Sequence, residues 1–557
     1  MIERMTGAAF LARTLHGYGV GHVFFVEAIL RSALREMEAL GIRRILTHGE
    51  KAAAYMADGY ARMRRGPGIC MAQSVGAANL AAGLQEPFLG GSPVIALTGC
   101  QRPTARYRNA YQEILHGPLY APVTKFHGAV ETLEQFPLLL AQAFREAVSG
   151  APGPVHLDLS GHTGQRIEGA EADLEVRVEP AYKQFPAQRI APEERLLREA
   201  ARLLREARRP VIVAGGGVTA SGAGAEVVTL AERLSIPVAT SLTGKETLLE
   251  QHPLNLGVVG RYSRWCANRV VSEADLVLFI GSGTGDLVTH DWTIPPAGTA
   301  VIQIDIDPSE LGRSYAGAIG ILGDARLAVQ GLLGVVAPSD ASRAWAEHAR
   351  QVVQRWREEV EPLRTSDQVP IRPERLCREV TECLPPDGVV VADTGFAAIW
   401  TGTMVHLTRP TQRYLRCAGS LGWALPASLG VKCAAPERAV ICFTGDGGFW
   451  YHLAELETAC RCGIHTVTVV NNNFALGQCV GSVRRLYAGH PGNPDDLCKF
   501  SRASLAAIAS EMGCLGIRVE APGEIVPALR RALAAERPAV VEVITDLECP
   551  APAPWSP

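Results

Sequence analysis

Residues 439–473 read AVICFTGDGGFWYHLAELETACRCGIHTVTVVNNN. The run Val440–Thr444 is apolar on every face, as a strand covered on both sides must be. It stops at Gly445-Asp446-Gly447-Gly448, and a helical pattern follows with Leu453, Leu456 and Cys460 on one face. A second strand, Thr466–Val470, then delivers Asn471-Asn472-Asn473. Strand, turn, helix and strand in that order form the unit of a parallel α/β sheet, and open sheets of this kind bind ligands beyond the C-terminal ends of their strands. Both polar clusters lie there. Glycines let successive backbone N–H groups approach phosphate oxygens, and a helix N-terminus favours negative charge. Asp446 and an asparagine oxygen are hard ligands suited to Mg²⁺. A tight turn and an asparagine-rich loop also occur without any ligand, so this segment decides the fold before it decides the chemistry.

The same alternation runs outward in both directions. Further strand candidates are Ile69–Ala72, Val94–Thr98, Val155–Leu159, Val211–Ala214, Val238–Thr240, Leu276–Ile280, Val301–Asp305, Val389–Ala392 and Val540–Ile544. Two stretches interrupt it: polar, proline-bearing 161–192, read as a linker, and 338–373 with the charged helical segment 341–363. The expectation is three doubly wound parallel-sheet α/β domains, over residues 1–175, 190–338 and 370–550, and a proline-rich extended tail at 550–557. Ala52–Gln73 and Ala424–Thr444 are built alike, which points to an old duplication. With 47% apolar and 20% charged residues, each domain can bury a core, and disorder is excluded. A net charge of −3 gives no basic field for nucleic acid or an acidic membrane. No apolar run reaches the roughly 18–20 residues of a membrane span. The N-terminus has no apolar signal core, so the expected setting is the cytoplasm. The 14 cysteines include no CxxC pair, which argues against a zinc ribbon or thioredoxin-type site.

The asparagine at 473 stands 27 positions after Asp446. Gly-Asp-Gly with asparagines at that spacing resembles the motif of thiamin diphosphate enzymes, in particular the acetolactate synthase large-subunit-like group. That resemblance implies that Asp446 and Asn473 hold Mg²⁺ through their side chains and Ala475 through its carbonyl. A second match is Thr47-His48-Gly49-Glu50-Lys51-Ala52-Ala53-Ala54, similar to the glutamate-bearing segment of the same group. Alone, Glu50 reads as a first-turn charge favoured by the helix dipole; with the first motif, the resemblance makes it the catalytic glutamate that activates the cofactor's aminopyrimidine. Gly419-Ser420-Leu421-Gly422 is the third match, and Leu421 takes the place of the aliphatic wedge that bends the cofactor. By the same resemblance Gly395, Gly419, Gly445, Gly447, Gly448 and Asn79 line the cofactor. Tyr111-Gln112-Glu113 and Ile304-Asp305-Ile306-Asp307 extend the match over essentially the whole chain. The reaction implied is decarboxylation of a 2-oxo acid with transfer of the acyl anion equivalent to an acceptor. Its alternative is a simple decarboxylase or C–C lyase. A homodimer or homotetramer with sites between subunits is implied as well.

Several positions depart from the group. The loop after the first strand reads Phe25-Val26-Glu27-Ala28, where Glu27 is either a second acid/base, a contact to a cationic substrate, or a solvated loop carboxylate. Gly395-Phe396-Ala397 replaces the group's Gly-Gln-His, and Gly477-Gln478-Cys479 its Gly-Met-Val. Gln112 and His116 fall where the group lines its active site, although a lone histidine is usually structural. In the central domain Gly283 stands where flavin-binding members carry an arginine, while Ala214-Gly215-Gly216-Gly217 and Asp305–Asp307 are retained, so FAD stays open but is not favoured there. Gly215, Gly217 and Ala220 formally fit a dinucleotide fingerprint, but no acidic residue stands at the ribose position about 20 residues on, which disfavours an NAD-linked dehydrogenase. Retention of Glu50, Asp446 and Asn473 together disfavours a silent paralogue.

Overall fold

The computed structural model describes residues 2–556. In the first domain the strands are β1 (Ile2–Thr6), β2 (His22–Phe25), β3 (Arg43–Leu46), β4 (Gly68–Ala72), β5 (Val94–Cys100), β6 (Phe126–Val130), β7 (Val155–Ser160) and β8 (Glu171–Glu175). The central domain holds β9 (Pro210–Ala214), β10 (Val238–Thr240), β11 (Asn255–Val258), β12 (Leu276–Ile280), β13 (Ala300–Asp305) and β14 (Ile319–Leu322). The last holds β15 (Val389–Ala392), β16 (Arg413–Arg416), β17 (Val440–Gly445), β18 (Val467–Asn472), β19 (Leu515–Val519) and β20 (Ala539–Ile544).

Each domain is built on one six-stranded sheet, in the orders β3-β2-β4-β5-β7-β6, β11-β10-β9-β12-β13-β14 and β16-β15-β17-β18-β20-β19. Every pairing within these sheets is parallel. The strand order reverses within each sheet, which opens a crevice at the C-terminal strand ends. The stretch read as a linker from residue 161 is structured in its first part. Its strand β8 pairs antiparallel with β1, Thr6 opposite Glu171 and Ile2 opposite Glu175. Polar alternation on an exposed ribbon hid it from a search for buried parallel strands.

Helix Arg343–Arg364 presents Trp345, Val352, Val353 and Trp356 to a core shared by Val211 and Val277 of the central sheet and Val390 and Phe443 of the last. Its charge lies on the outer face, so the segment is a packed brace between domains. Beside it Arg264 stacks on Trp356 at 4.2 Å, pairs with Glu250 and donates to the Thr403 carbonyl. Lys245 donates to the Gly402 carbonyl at 2.5 Å. These contacts bury an ionic seam between the second and third domains.

The first and third domains meet through helices Glu50–Arg64 and Ala424–Ala434, which cross at glycines. A Cβ on Gly59 would lie 2.1 Å from the Ala427 carbonyl oxygen, and one on Gly430 only 1.9 Å from that of Met56. The contact is reciprocal, residue for residue, as a duplicated architecture would place it. No helix among the described residues is long and apolar enough to cross a membrane.

Candidate active site

At the end of β17 the turn Gly445-Asp446-Gly447-Gly448 opens the short helix Asp446–His452. A side chain at Gly447 would strike Leu476, and one at Gly448 would strike Thr444 and Asp393, so the turn lies flat against its neighbours. Asp446 is 3% exposed. Burial pushes its carboxyl up to about 7, although backbone N–H groups of Gly447 and Ala475 act in the opposite sense. Its Oδ2 is buried with no hydrogen-bond partner. A lone buried carboxylate oxygen is costly unless a cation completes it.

The oxygens that could share such a cation come from the segment after β18. Asn473 Oδ1 accepts from Ala475 N–H at 3.2 Å, which turns the chain back. The Ala475 carbonyl accepts from Gly477 N–H at 2.9 Å and keeps a second lone pair. Asn472 is committed elsewhere, donating to Glu542 at 2.8 Å and accepting from Phe474 N–H. The donor set of Asp446, Asn473 and Ala475 is all hard oxygen and fits a small divalent cation.

Glu50 opens its helix behind an uncapped Gly49 and is half-buried. Its Oε2 accepts from Asn79 Nδ2 at 3.2 Å. Gly76 gives the carboxylate its room, because a Cβ there would sit 2.4 Å from Glu50 Oε1. The segment Gly76–Asn79 is therefore shaped to the glutamate it faces. The Gln112 backbone carbonyl accepts from Ser74 Oγ at 2.8 Å, while its side-chain Oε1 is buried and unpartnered. Leu421 is half-buried, Gly419 before it is exposed with open space where a side chain would stand, and Gly422 after it turns at φ +86°. Gly395, at φ +66°, opens the helix Phe396–Met404 with Gln478 beside it.

Two expected residues stand apart. His116 is buried, and both its nitrogens are engaged, with Asp158 at 2.7 Å and the Ser74 carbonyl at 2.9 Å. It braces the turn before Gly76 from beneath. His116, His156 and Asp158 cluster as metal ligands could, but the Thr98 hydroxyl sits between His156 (2.7 Å) and Asp158 (2.5 Å). Burial raises the Asp158 carboxyl, and His156, His116 and Thr98 outweigh it and hold it low. These donors are spent on one another. Glu27 is exposed and paired with Arg31 on the next turn.

Within one chain no hydrogen bond joins Glu50 to Asp446, Asn473 or the Leu421 loop. The Glu50 end of its helix instead meets the third domain through His48, whose N–H donates to Glu455 at 3.1 Å and whose ring lies 2.7 Å from Glu457. Sequence reasoning missed three buried acids near the Leu421 loop: Asp58, Glu86 and Asp393. Only Asp393 carried a signal, directly ending the apolar run Val389–Ala392.

The chain matches the thiamine pyrophosphate enzyme family three times in order. Residues 5–118 match its N-terminal TPP binding domain, 197–332 its central domain and 393–543 its C-terminal TPP binding domain. The chain belongs to the thiamine pyrophosphate enzymes. This thiamine pyrophosphate enzyme is 33% identical to the probable acetolactate synthase large subunit of Methanocaldococcus jannaschii, over 97% of this chain and 92% of that one. It is 33% identical to the acetolactate synthase of Arthrospira platensis over 86% of this chain and 83% of that one. Against the acetolactate synthase large subunit of Corynebacterium glutamicum the figures are 30%, 97% and 87%. The cofactor indicated by the two TPP binding domains is thiamin diphosphate.

Proposed function

We propose that this chain is a Mg²⁺- and thiamin diphosphate-dependent enzyme that decarboxylates a 2-oxo acid and transfers the remaining acyl unit to an acceptor. The observation that carries it is the unpartnered, buried Oδ2 of Asp446 in a glycine turn, on a carboxyl that the backbone N–H groups of Phe474 and Ala475, next to Asn473, also act on. Asp446, Asn473 and Ala475 would hold the cation, with the Gly445–Gly448 amides turned to the diphosphate. When bound, thiamin diphosphate supplies the nucleophilic carbon and the electron sink that decarboxylation needs. Glu50, its carboxylate oriented by Asn79, would exchange a proton with the pyrimidine. Leu421 supplies the apolar wedge, and Gln112 offers its amide to the substrate. The half-buried place of Glu50 leaves room for a partner surface to exclude water.

The same reading implies a working site between two copies of the chain, as the resemblance to the acetolactate synthase-like group does. Val75, Phe88, Leu89, Leu115 and Leu119, on and around the helix that follows Gly76, are 40–68% exposed. An apolar surface of that kind beside the glutamate is suited to burial against a second copy. In the central crevice Gly283 leaves no cationic side chain at the place where flavin-binding members carry an arginine, so this reading assigns no flavin there. At Gly283 the nearest group a side chain would meet is the Glu310 carboxylate, 3.2 Å away and already paired with Arg313.

The test is a panel of 2-oxo acids with thiamin diphosphate and Mg²⁺, with carbon dioxide and condensed product measured separately. Carbon dioxide with condensed product is expected. Free aldehyde alone would reassign the chain to simple decarboxylation, and no carbon dioxide from any acid would overturn the reading.

A further inference from the structure

The backbone that presents Leu421 is held from both sides by buried carboxylates. Glu86, in helix Gly76–Gly90 of the first domain, is 0% exposed. It accepts the N–H of Ala418, that of Gly419 at 3.2 Å and that of Ser420 at 3.1 Å. On the other side of Leu421, Asp393 of the third domain accepts Gly422 N–H at 3.0 Å and Ala424 N–H at 3.4 Å. Trp423 donates its indole N–H to Asp58 at 2.9 Å. Arg62 ties the set together, reaching Asp58 at 2.8 Å, Glu86 at 3.3 Å and the Arg416 carbonyl at 2.7 Å.

Charge counting shows why the loop matters to the network. Asp58 and Glu86 are two fully buried acids facing one guanidinium. A buried charge without compensation is expensive, so the second acid depends on the three converging N–H groups of residues 418–420. Loop and acid are mutually required: move the backbone away and Glu86 is left under-paired. Only a carboxylate fits, because an amide at this position would turn one N–H₂ toward backbone donors.

We propose that Glu86 is a positioning residue that sets how far Leu421 projects into the cofactor cleft. It rests on the assignment of Leu421 above. A first domain that lends Glu50 to one site would thereby also tension the wedge of another.

The test uses the full chain with the variants Glu86→Gln and Glu86→Asp. In the cofactor-free wild type, the 418–420 amides should exchange with deuterium slowly even though Gly419 is exposed; fast exchange there overturns the clamp without any variant. Glu86→Gln should speed that exchange about tenfold or more, the loss expected of charge-assisted bonds. In Mg²⁺-loaded protein, thiamin diphosphate affinity should stay within about threefold, because its anchor is elsewhere. Exchange of the cofactor's C2 proton, followed by NMR, should slow about tenfold or more. Glu86→Asp keeps the charge beside Arg62 but withdraws it by one methylene, and should behave like Glu86→Gln. Wild-type C2 exchange in Glu86→Gln, or full recovery in Glu86→Asp, would overturn the inference. A wild type that binds no thiamin diphosphate would instead sink the assignment of Leu421, and the amide-exchange arm would still judge the clamp.

Discussion

Replacing Gly430 or Gly59 by alanine should pry the first and third domains apart at their helix crossing. The new Cβ atoms would sit 1.9 Å and 2.1 Å from carbonyl oxygens of the facing helix, where real contacts almost never fall under 3.0 Å. Backbone blocks both positions, so no side chain can rotate away, and the helices must separate by about 1 Å. Overpacking of this kind costs up to about 3 kcal/mol, and the better helix propensity of alanine returns about 1 kcal/mol, leaving a net loss near ~2 kcal/mol for each variant. Because one separation relieves both contacts, the double variant should lose about 3 kcal/mol rather than the sum. Gly334, near the end of helix Ala325–Val335 with nothing within 4 Å of its added Cβ, is the control. Gly334→Ala should be neutral or stabilising by up to about 1 kcal/mol. Urea unfolding followed by tryptophan fluorescence reads all four, since Trp423 lies beside the crossing. Wild-type stability in Gly430→Ala, or strict additivity in the double variant, would refute the close-packed crossing.

Glu50→Gln should leave the melting temperature unchanged and lower turnover by about a hundredfold or more, the size of a lost acid–base group; undiminished turnover would remove its role. The Asp446 carboxyl, lifted to about 7 by burial, must ionise before it can bind a cation. Affinity for Mg²⁺ with thiamin diphosphate should therefore rise about tenfold per pH unit up to about 7 and level off above, and a flat titration profile would contradict this. By the same linkage, the cation-free protein loses stability as pH rises from the unfolded carboxyl's range toward 7, a slope that Asp446→Asn should reduce, leaving the share of other buried carboxyls such as Asp393, raised by burial to about 6. Burial lowers Lys245 to about 7, so its contribution to stability falls as pH drops from about 10 to 7 and stays low below that. Lys245→Met should flatten this dependence and, after the loss of the bond to Gly402, stabilise the neutral-pH protein by roughly 2 kcal/mol, measured by urea unfolding at two pH values.

Strands were legible in the sequence where they are covered on both faces. Val440–Thr444 and Val389–Ala392 lie inside their sheet and read as unbroken apolar runs. Seven strands of the three sheets are missing from that pattern: the interior strand His22–Phe25, which contains an apolar run of only three residues, and the six edge strands Arg43–Leu46, Phe126–Val130, Asn255–Val258, Ile319–Leu322, Arg413–Arg416 and Leu515–Val519. Three of the edge strands, Arg43–Leu46, Arg413–Arg416 and Leu515–Val519, carry arginine, and the other three are broken by Gly128, Gly257 or Gly320, so none gives an unbroken apolar run. Within the candidate site, Asp446, Asn473 and Glu50 stood out because turn chemistry and spacing mark them. Glu86 and Asp58 did not, because an acid inside an alanine-rich helix looks solvated until the facing loop is known. His116 looked like a site residue for the converse reason: its partners Asp158 and Ser74 are 42 positions away on either side, beyond any local pattern.

The short antiparallel ribbon of β1 and β8 brings the two ends of the first domain side by side, Thr6 against Glu171. A module whose entrance and exit adjoin can be cut from one gene and spliced into another without rerouting the rest of the chain. It can also be re-opened at a surface loop and rejoined through its old termini. The ribbon thus makes this domain a transferable cassette, the form in which an ancestral copy could be moved, doubled and set to face its twin.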